Sequence, residues 1–128
     1  MDLSFTRLPD GVIEISVGRS DGLFTMAMND SVSSRAPRGS ATPGLSTYWI
    51  DRVEAAAQSA REHRSAEPFA SGNVTYLRLD GDEVIAAFDF DPAEIDAESM
   101  PLESFLRALR EWRGRVIEAG GANDSATR

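Results

Sequence analysis

Apolar and polar residues alternate from Leu3 to Leu8 (Leu-Ser-Phe-Thr-Arg-Leu), a period of two that predicts a strand with one buried face. Pro9-Asp10-Gly11 interrupts it with turn chemistry: Pro sets φ, Asp caps the turn, and Gly takes the left-handed position. Residues 12–17 (Val-Ile-Glu-Ile-Ser-Val) are β-branched at most positions and read as a second strand. After a turn from Gly18 to Gly22, the apolar run Leu23-Phe24-Thr25-Met26-Ala27-Met28 reads as a third, completing an antiparallel meander. Asn29 to Thr47, rich in Ser, Ala, Gly and Pro, reads as a long loop carrying Arg35 and Arg38.

Two helices and a hairpin follow. The first helix is predicted from Ser46 or Thr47, either able to cap free N–H groups, to about Arg64, with Trp49, Val53, Ala56 and Ala60 on its apolar face. Pro68 to Gly72 is a loop. The hairpin joins 74–79 to 82–90 through Asp80-Gly81, a pair that tolerates positive φ. A two-residue turn there pairs Leu77 with Val84 and Arg78 with Glu83, and it points Leu77, Leu79, Val84, Ala86, Phe88 and Phe90 at the core. The last helix is predicted from about Pro101 to Glu118, on the stripe Leu102, Phe105, Leu109, Trp112 and Val116. Glu103 in its first turn and Arg107, Arg110, Arg113 and Arg115 toward its end suit the helix dipole.

These elements predict an α+β fold, β-β-β-α-β-β-α: an antiparallel sheet of about five strands with both helices packed on one face. Residues 1–118 are expected to form a single domain; Gly120-Gly121 ends the last helix, and 119–128 are expected to form a disordered tail.

Charge changes this picture at one place. Asp80 to Glu103 holds nine acids and no basic residue, and the whole chain of 128 residues has a formal charge of −8. The acidity is therefore local, on a hairpin, its connector and a helix start. Such a face attracts a basic partner and repels nucleic acid. Asp82, Glu83, Asp89, Asp91, Glu94, Asp96 and Glu98 are the candidate partner-binding residues, because the inward positions around them are already apolar.

Other chemistry is sparse. There is no cysteine, which excludes disulfides, thiolate metal sites and cysteine nucleophiles. All thirteen basic residues are arginine, in keeping with a GC-rich coding sequence. His63 is the sole histidine and no spacing supplies it with a nucleophile, so it reads as a solvated surface residue. A calcium loop begun at Asp89 puts Ala93, Glu94 and Met100 at its fifth, sixth and twelfth positions, where oxygen, glycine and glutamate are needed. Paired carboxylates for glycoside chemistry lack a sugar platform. Trp49 and Trp112 read as core, the glycines form no phosphate-binding pattern, and no basic-aromatic patch suggests nucleic acid. No cofactor and no catalytic residue is expected. No apolar run approaches the roughly 18 residues of a membrane span, and Met1-Asp2-Leu3-Ser4 lacks the start of a leader, so the expectation is a cytoplasmic protein.

The C-terminal third, "VIAAFDFDPAEIDAESMPLESFLRALREWRGRV", combines a late apolar hairpin, an acidic connector and a final amphipathic helix. Through Pro101, Leu102, Phe105, Leu109 and Trp112 it resembles small bacterial immunity proteins of polymorphic-toxin and contact-dependent-inhibition systems. The resemblance implies a cytosolic, non-enzymatic protein that binds and blocks a cognate toxin, and it supplies no catalytic residues. The alternative from another class is a small regulatory or structural domain that forms a homodimer.

Overall fold

The computed structural model describes residues 2–19 and 21–122. The chain is α+β, with three helices and two antiparallel sheets. Strands β1 (Leu3–Arg7) and β2 (Ile13–Val17) form a hairpin in the register Leu3 to Val17, Phe5 to Ile15 and Arg7 to Ile13. Helices α1 (Leu23–Ser31) and α2 (Tyr48–Glu62) come next. Four strands then pair in sequence order: β3 (Ala70–Ser71), β4 (Thr75–Asp80), β5 (Glu83–Phe88) and β6 (Glu98–Pro101). Helix α3 (Leu102–Glu118) closes the fold.

The expected third strand is a helix. Leu23, Phe24, Ala27 and Met28 recur at helical spacing and are buried, while Met26 stays 44 % exposed. A six-residue apolar run fits either period. Here the helix wins because it also turns Thr25 and Asn29 toward β2. Val17 N–H donates to the Thr25 hydroxyl at 2.9 Å, and Ile15 N–H to the Asn29 carbonyl oxygen at 3.1 Å. Ile13 N–H donates to the Ser34 hydroxyl at 3.0 Å. Side chains thus serve the edge of β2 where a third strand was expected. The loop predicted over 29–47 accordingly starts later, after Val32. It is tied by an isolated bridge between Arg35 and Leu45, and Ser34 and Ser46 are buried within it.

One core joins both sheets and all three helices. Leu77, Leu79, Val84 and Ala86 are the inward face of the four-stranded sheet and lie in this core with residues of all three helices. Ile13 and Ile15 of β2 join it from the hairpin. The α3 stripe is as the periodicity predicts: Leu102, Phe105, Leu109, Trp112 and Val116 are buried. Trp112 is also a tie between distant segments, donating its indole N–H to the Ile13 carbonyl at 2.9 Å.

Three further expectations are corrected. On α2 the buried residues are Ile50, Val53, Ala57 and Ala60, so the face is rotated from the predicted one and Trp49 is 38 % exposed, edge-on to Tyr48. The β4–β5 turn is Gly81-Asp82, which makes Leu79 the partner of Val84 and Ile85 the partner of Arg78. Gly81 has φ +62 and Asp82 does not have a positive φ, so glycine takes the first turn position, the only one demanding left-handed backbone. The slide preserves the faces because both registers pair odd with even positions. Finally, β5 ends at Phe88, which leaves Phe90 74 % exposed rather than in the core.

Of the tail expected to be disordered, residues 119–122 are hydrogen bonded: Ala122 N–H donates to Leu45 and Thr47 N–H to Ala122, each at 2.9 Å. Residues 123–128 lie outside the described part.

Candidate functional site

The segment joining β5 to β6, residues 89–97, crosses the outer face of the four-stranded sheet. That face carries Tyr76 and Arg78 from β4 and Ile85 and Ala87 from β5. One side chain fixes the crossing. The Glu94 carboxylate accepts from Arg78 Nε at 2.8 Å, from Arg78 Nη2 and from the Tyr76 hydroxyl. The Arg78 guanidinium, with help from the Tyr76 hydroxyl, holds the Glu94 carboxyl down to about 2. Its hydrogen bond to the Glu94 carboxylate, reinforced by burial, pushes the Tyr76 phenol up to about 12. Neither group changes protonation near neutral pH, so the cluster is a clamp.

The clamp holds strained backbone. Glu94 has φ +55, a conformation that costs a non-glycine residue energy and persists only when its surroundings impose it. Asp91 does the rest of the shaping: its carboxylate accepts from Ile95 N–H at 3.1 Å and from Asp96 N–H at 3.0 Å. Asp91 N–H donates back to Phe88 and Glu94 N–H to Asp91. The connector is thereby a braced loop.

The seven acids singled out by sequence fall into two sets. Four have internal work. Glu94 and Asp91 brace the loop; Asp82 lies 3.6 Å from Arg61; and Glu98 accepts from Phe24 N–H at 3.4 Å, at the start of α1 where the helix dipole favours an anion. Three have none: the side chains of Glu83, Asp89 and Asp96 are exposed and make no hydrogen bond or ion pair among the described residues. The structure thus brings Asp89, Asp91, Glu94 and Asp96 onto one short loop, with Glu98 at its end. It leaves Asp82 and Glu83 at the β4–β5 turn.

Sequence reasoning missed the apolar members. Phe90 is 74 % and Ile95 82 % exposed, and both project from this loop. Phe90 stacks on Phe88 with ring centroids 4.8 Å apart, and Phe88 packs on the core, so apolar surface runs from the interior to the tip of the loop. Phe90 continues the period-two run of Val84, Ala86 and Phe88 and so reads as core, whereas Ile95 stands inside the acidic run beyond Pro92 with no strand or helix period to claim it.

Elsewhere, a cavity of about 520 Å³ lies between the end of α2 and the β4–β5 turn, lined by Arg61, Arg64, Asp80 and Asp82 among others. Its charges are mixed, with Arg61 3.6 Å from Asp82. His63 sits at the end of α2, its Nδ1 2.8 Å from the Ser59 carbonyl. Among the described residues no group of three or more histidine or carboxylate side chains is arranged to hold a metal ion, and no helix is long and apolar enough to cross a membrane.

No protein-family model, no curated protein and no solved structure matches this chain.

Proposed function

We propose that this chain is a non-enzymatic binding protein that recognises a basic protein partner through the connector 89–98, in the manner of the immunity proteins its C-terminal third resembles. The observation that carries the reading is the exposure of Phe90 and Ile95 on a loop braced by Glu94 and Asp91. Apolar side chains held out on rigid backbone lose little entropy on binding and make effective anchors. Around them Asp89, Asp96 and Glu98, with Glu83 and Asp82 on the adjoining hairpin, supply the negative field that speeds encounter with a basic partner. In this reading Asp91 and Glu94 act as positioning residues, since their carboxylates are engaged within the loop.

A second reading, a small regulatory or structural domain that pairs with itself, draws on the open edge of β1.

The test of the first reading is co-expression with the product of the gene adjacent to that of this chain. The expected result is a basic protein that co-purifies and whose toxicity the chain suppresses. Asp89→Lys with Asp96→Lys should then slow association and flatten its salt dependence while the fold stays intact. Absence of a complex, or an association rate at low salt untouched by the double reversal, overturns the reading.

A further inference from the structure

We propose that β1 is the pairing edge of a homodimer, in which two copies join β1 to β1 antiparallel about a two-fold axis at Phe5. The inference does not depend on the connector's binding a basic partner.

The argument starts from where backbone groups point. Gly18 N–H donates to Asp2 and Leu8 N–H to Val12, so the even-numbered residues of β1 face β2. The N–H and C=O groups of Leu3, Phe5 and Arg7 therefore face away from β2, on the open side of a strand whose neighbour among the described residues is the hairpin partner alone. An unguarded row of this kind is a template for another strand.

The remaining edges are guarded. On β2 the outward groups are taken by Thr25, Asn29 and Ser34. β6 ends in Pro101, which has no N–H to offer. β3 is two residues long. Among the described residues β1 alone presents three consecutive outward positions without such a device.

The sequence of β1 names its own partner. A two-fold at Phe5 sets Phe5 against Phe5 of the second copy, Leu3 against Arg7, and Ser4 against Thr6. All outward positions are odd, and this register pairs odd with odd, so each of the three backbone pairs exchanges both hydrogen bonds. Phe5 meets Phe5 on the face shared with Ile15, and the exposed face receives two Ser–Thr pairs, both favourable cross-strand combinations. Along β1 itself no like charges are brought opposite one another. Five-residue edges bury well under the ~1,200 Å² of stable specific complexes, so the dimer is weak, populated at roughly 100 µM and above.

Ser4 and Thr6 are exposed and allow a register-specific test on the full chain. Ser4→Lys with Thr6→Lys places lysine against lysine twice across the two-fold, and within the hairpin Lys at position 6 would face Glu14, so the fold is spared. Ser4→Glu with Thr6→Lys places opposite charges there instead. Sedimentation equilibrium should show a concentration-dependent dimer of the unaltered chain. It should be lost in the double-lysine variant and several-fold tighter in the Glu–Lys variant. Exchange of the Leu3, Phe5 and Arg7 amides should slow as concentration rises. A chain that stays monomeric to roughly millimolar concentration, or a dimer indifferent to both variants, overturns the proposal.

Discussion

Asn29 stands in for a strand beside Ile15: its side-chain amide donates to the Ile15 carbonyl at 2.8 Å and accepts the Ile15 N–H at 3.1 Å. The same amide also donates to Thr25 one turn back, which fixes its orientation. Replacing Asn29 with alanine strands a donor and an acceptor on β2, each of them in half-buried surroundings. The expected loss is about 1–3 kcal/mol in denaturant unfolding. Asn29→Asp keeps the acceptor and sets a carboxylate against two carbonyls, so it should be no milder. A loss below about 0.5 kcal/mol would mean water replaces the amide at this edge.

The Glu94 clamp makes stability depend on acid. A carboxyl whose folded pKa lies below its unfolded one adds stability above the unfolded value and loses it as pH falls through the folded value. For Glu94 that window runs from 4.5 down to about 2. Glu94→Gln should cost about 1–2 kcal/mol at neutral pH, since the paired side chains are still 23 % and 19 % exposed and water screens them. The gap between wild type and variant should shrink as pH drops through that window. A gap constant from pH 6 to pH 2 would remove the ion pair from the account.

Gly72 is required by Asp30 beside it, through both its carboxylate and its backbone carbonyl. A Cβ built there falls 2.4 Å from Asp30, whose Oδ1 accepts from Asn73 N–H and whose Oδ2 accepts from Val74 N–H, Thr75 N–H and the Thr75 hydroxyl. Burial would raise the Asp30 pKa, but these four donors together hold it below its ordinary value. Gly72→Ala should therefore destabilise by about 1–3 kcal/mol through overpacking. The effect should be relieved only in part in an Asp30→Ala background, because the Asp30 backbone carbonyl oxygen, also 2.4 Å from the built Cβ, stays in place. Additive losses in the double variant would contradict this.

What the sequence disclosed follows from how strongly each segment is periodic. Leu102 to Val116 repeats its apolar residues over four turns, so α3 was legible, as was the inward face of β4 and β5. Leu23–Met28 is too short for either period to prevail, and its helical state rests on Thr25 and Asn29 reaching β2, a tertiary fact. The turn register was decided by which residue bears positive φ, and a turn displaced by one position slips the pairing by two residues, which leaves the faces unchanged, so the hydrophobic pattern could not correct it. At the candidate site the acids were visible as a cluster, but not their division of labour. That Glu94 folds back on Arg78 and Tyr76 depends on two residues of β4, sixteen and eighteen positions away. β6, four residues between an acidic loop and α3, has too little pattern to announce itself.

Leu109 should be a costly truncation in α3. It is fully buried in the core that joins the helices to both sheets. Leu109→Ala is expected to lose about 2–5 kcal/mol, the transfer cost plus the cavity left behind. Measured by denaturant unfolding, a loss under about 1 kcal/mol would place the stripe against something other than the core.

Phe90 and Ile95 should behave in the opposite way. Both are mostly solvated, so Phe90→Ala and Ile95→Ala are each expected to change stability by no more than about 0.5 kcal/mol, as for other surface sites. The stacking of Phe90 on Phe88 adds little where one ring face is in water. Their effect should appear in the proposed complex with a basic partner, and on a particular step. Apolar anchors form contacts only after docking, so their loss should raise the dissociation rate and leave association nearly unchanged. Reversal of Asp89 and Asp96 should do the converse, slowing association in a salt-dependent way. The two classes of variant therefore separate anchoring from steering on one loop. If truncating Phe90 and Ile95 leaves the dissociation rate alone while each variant folds normally, the connector steers a partner without holding it, and the contact lies elsewhere.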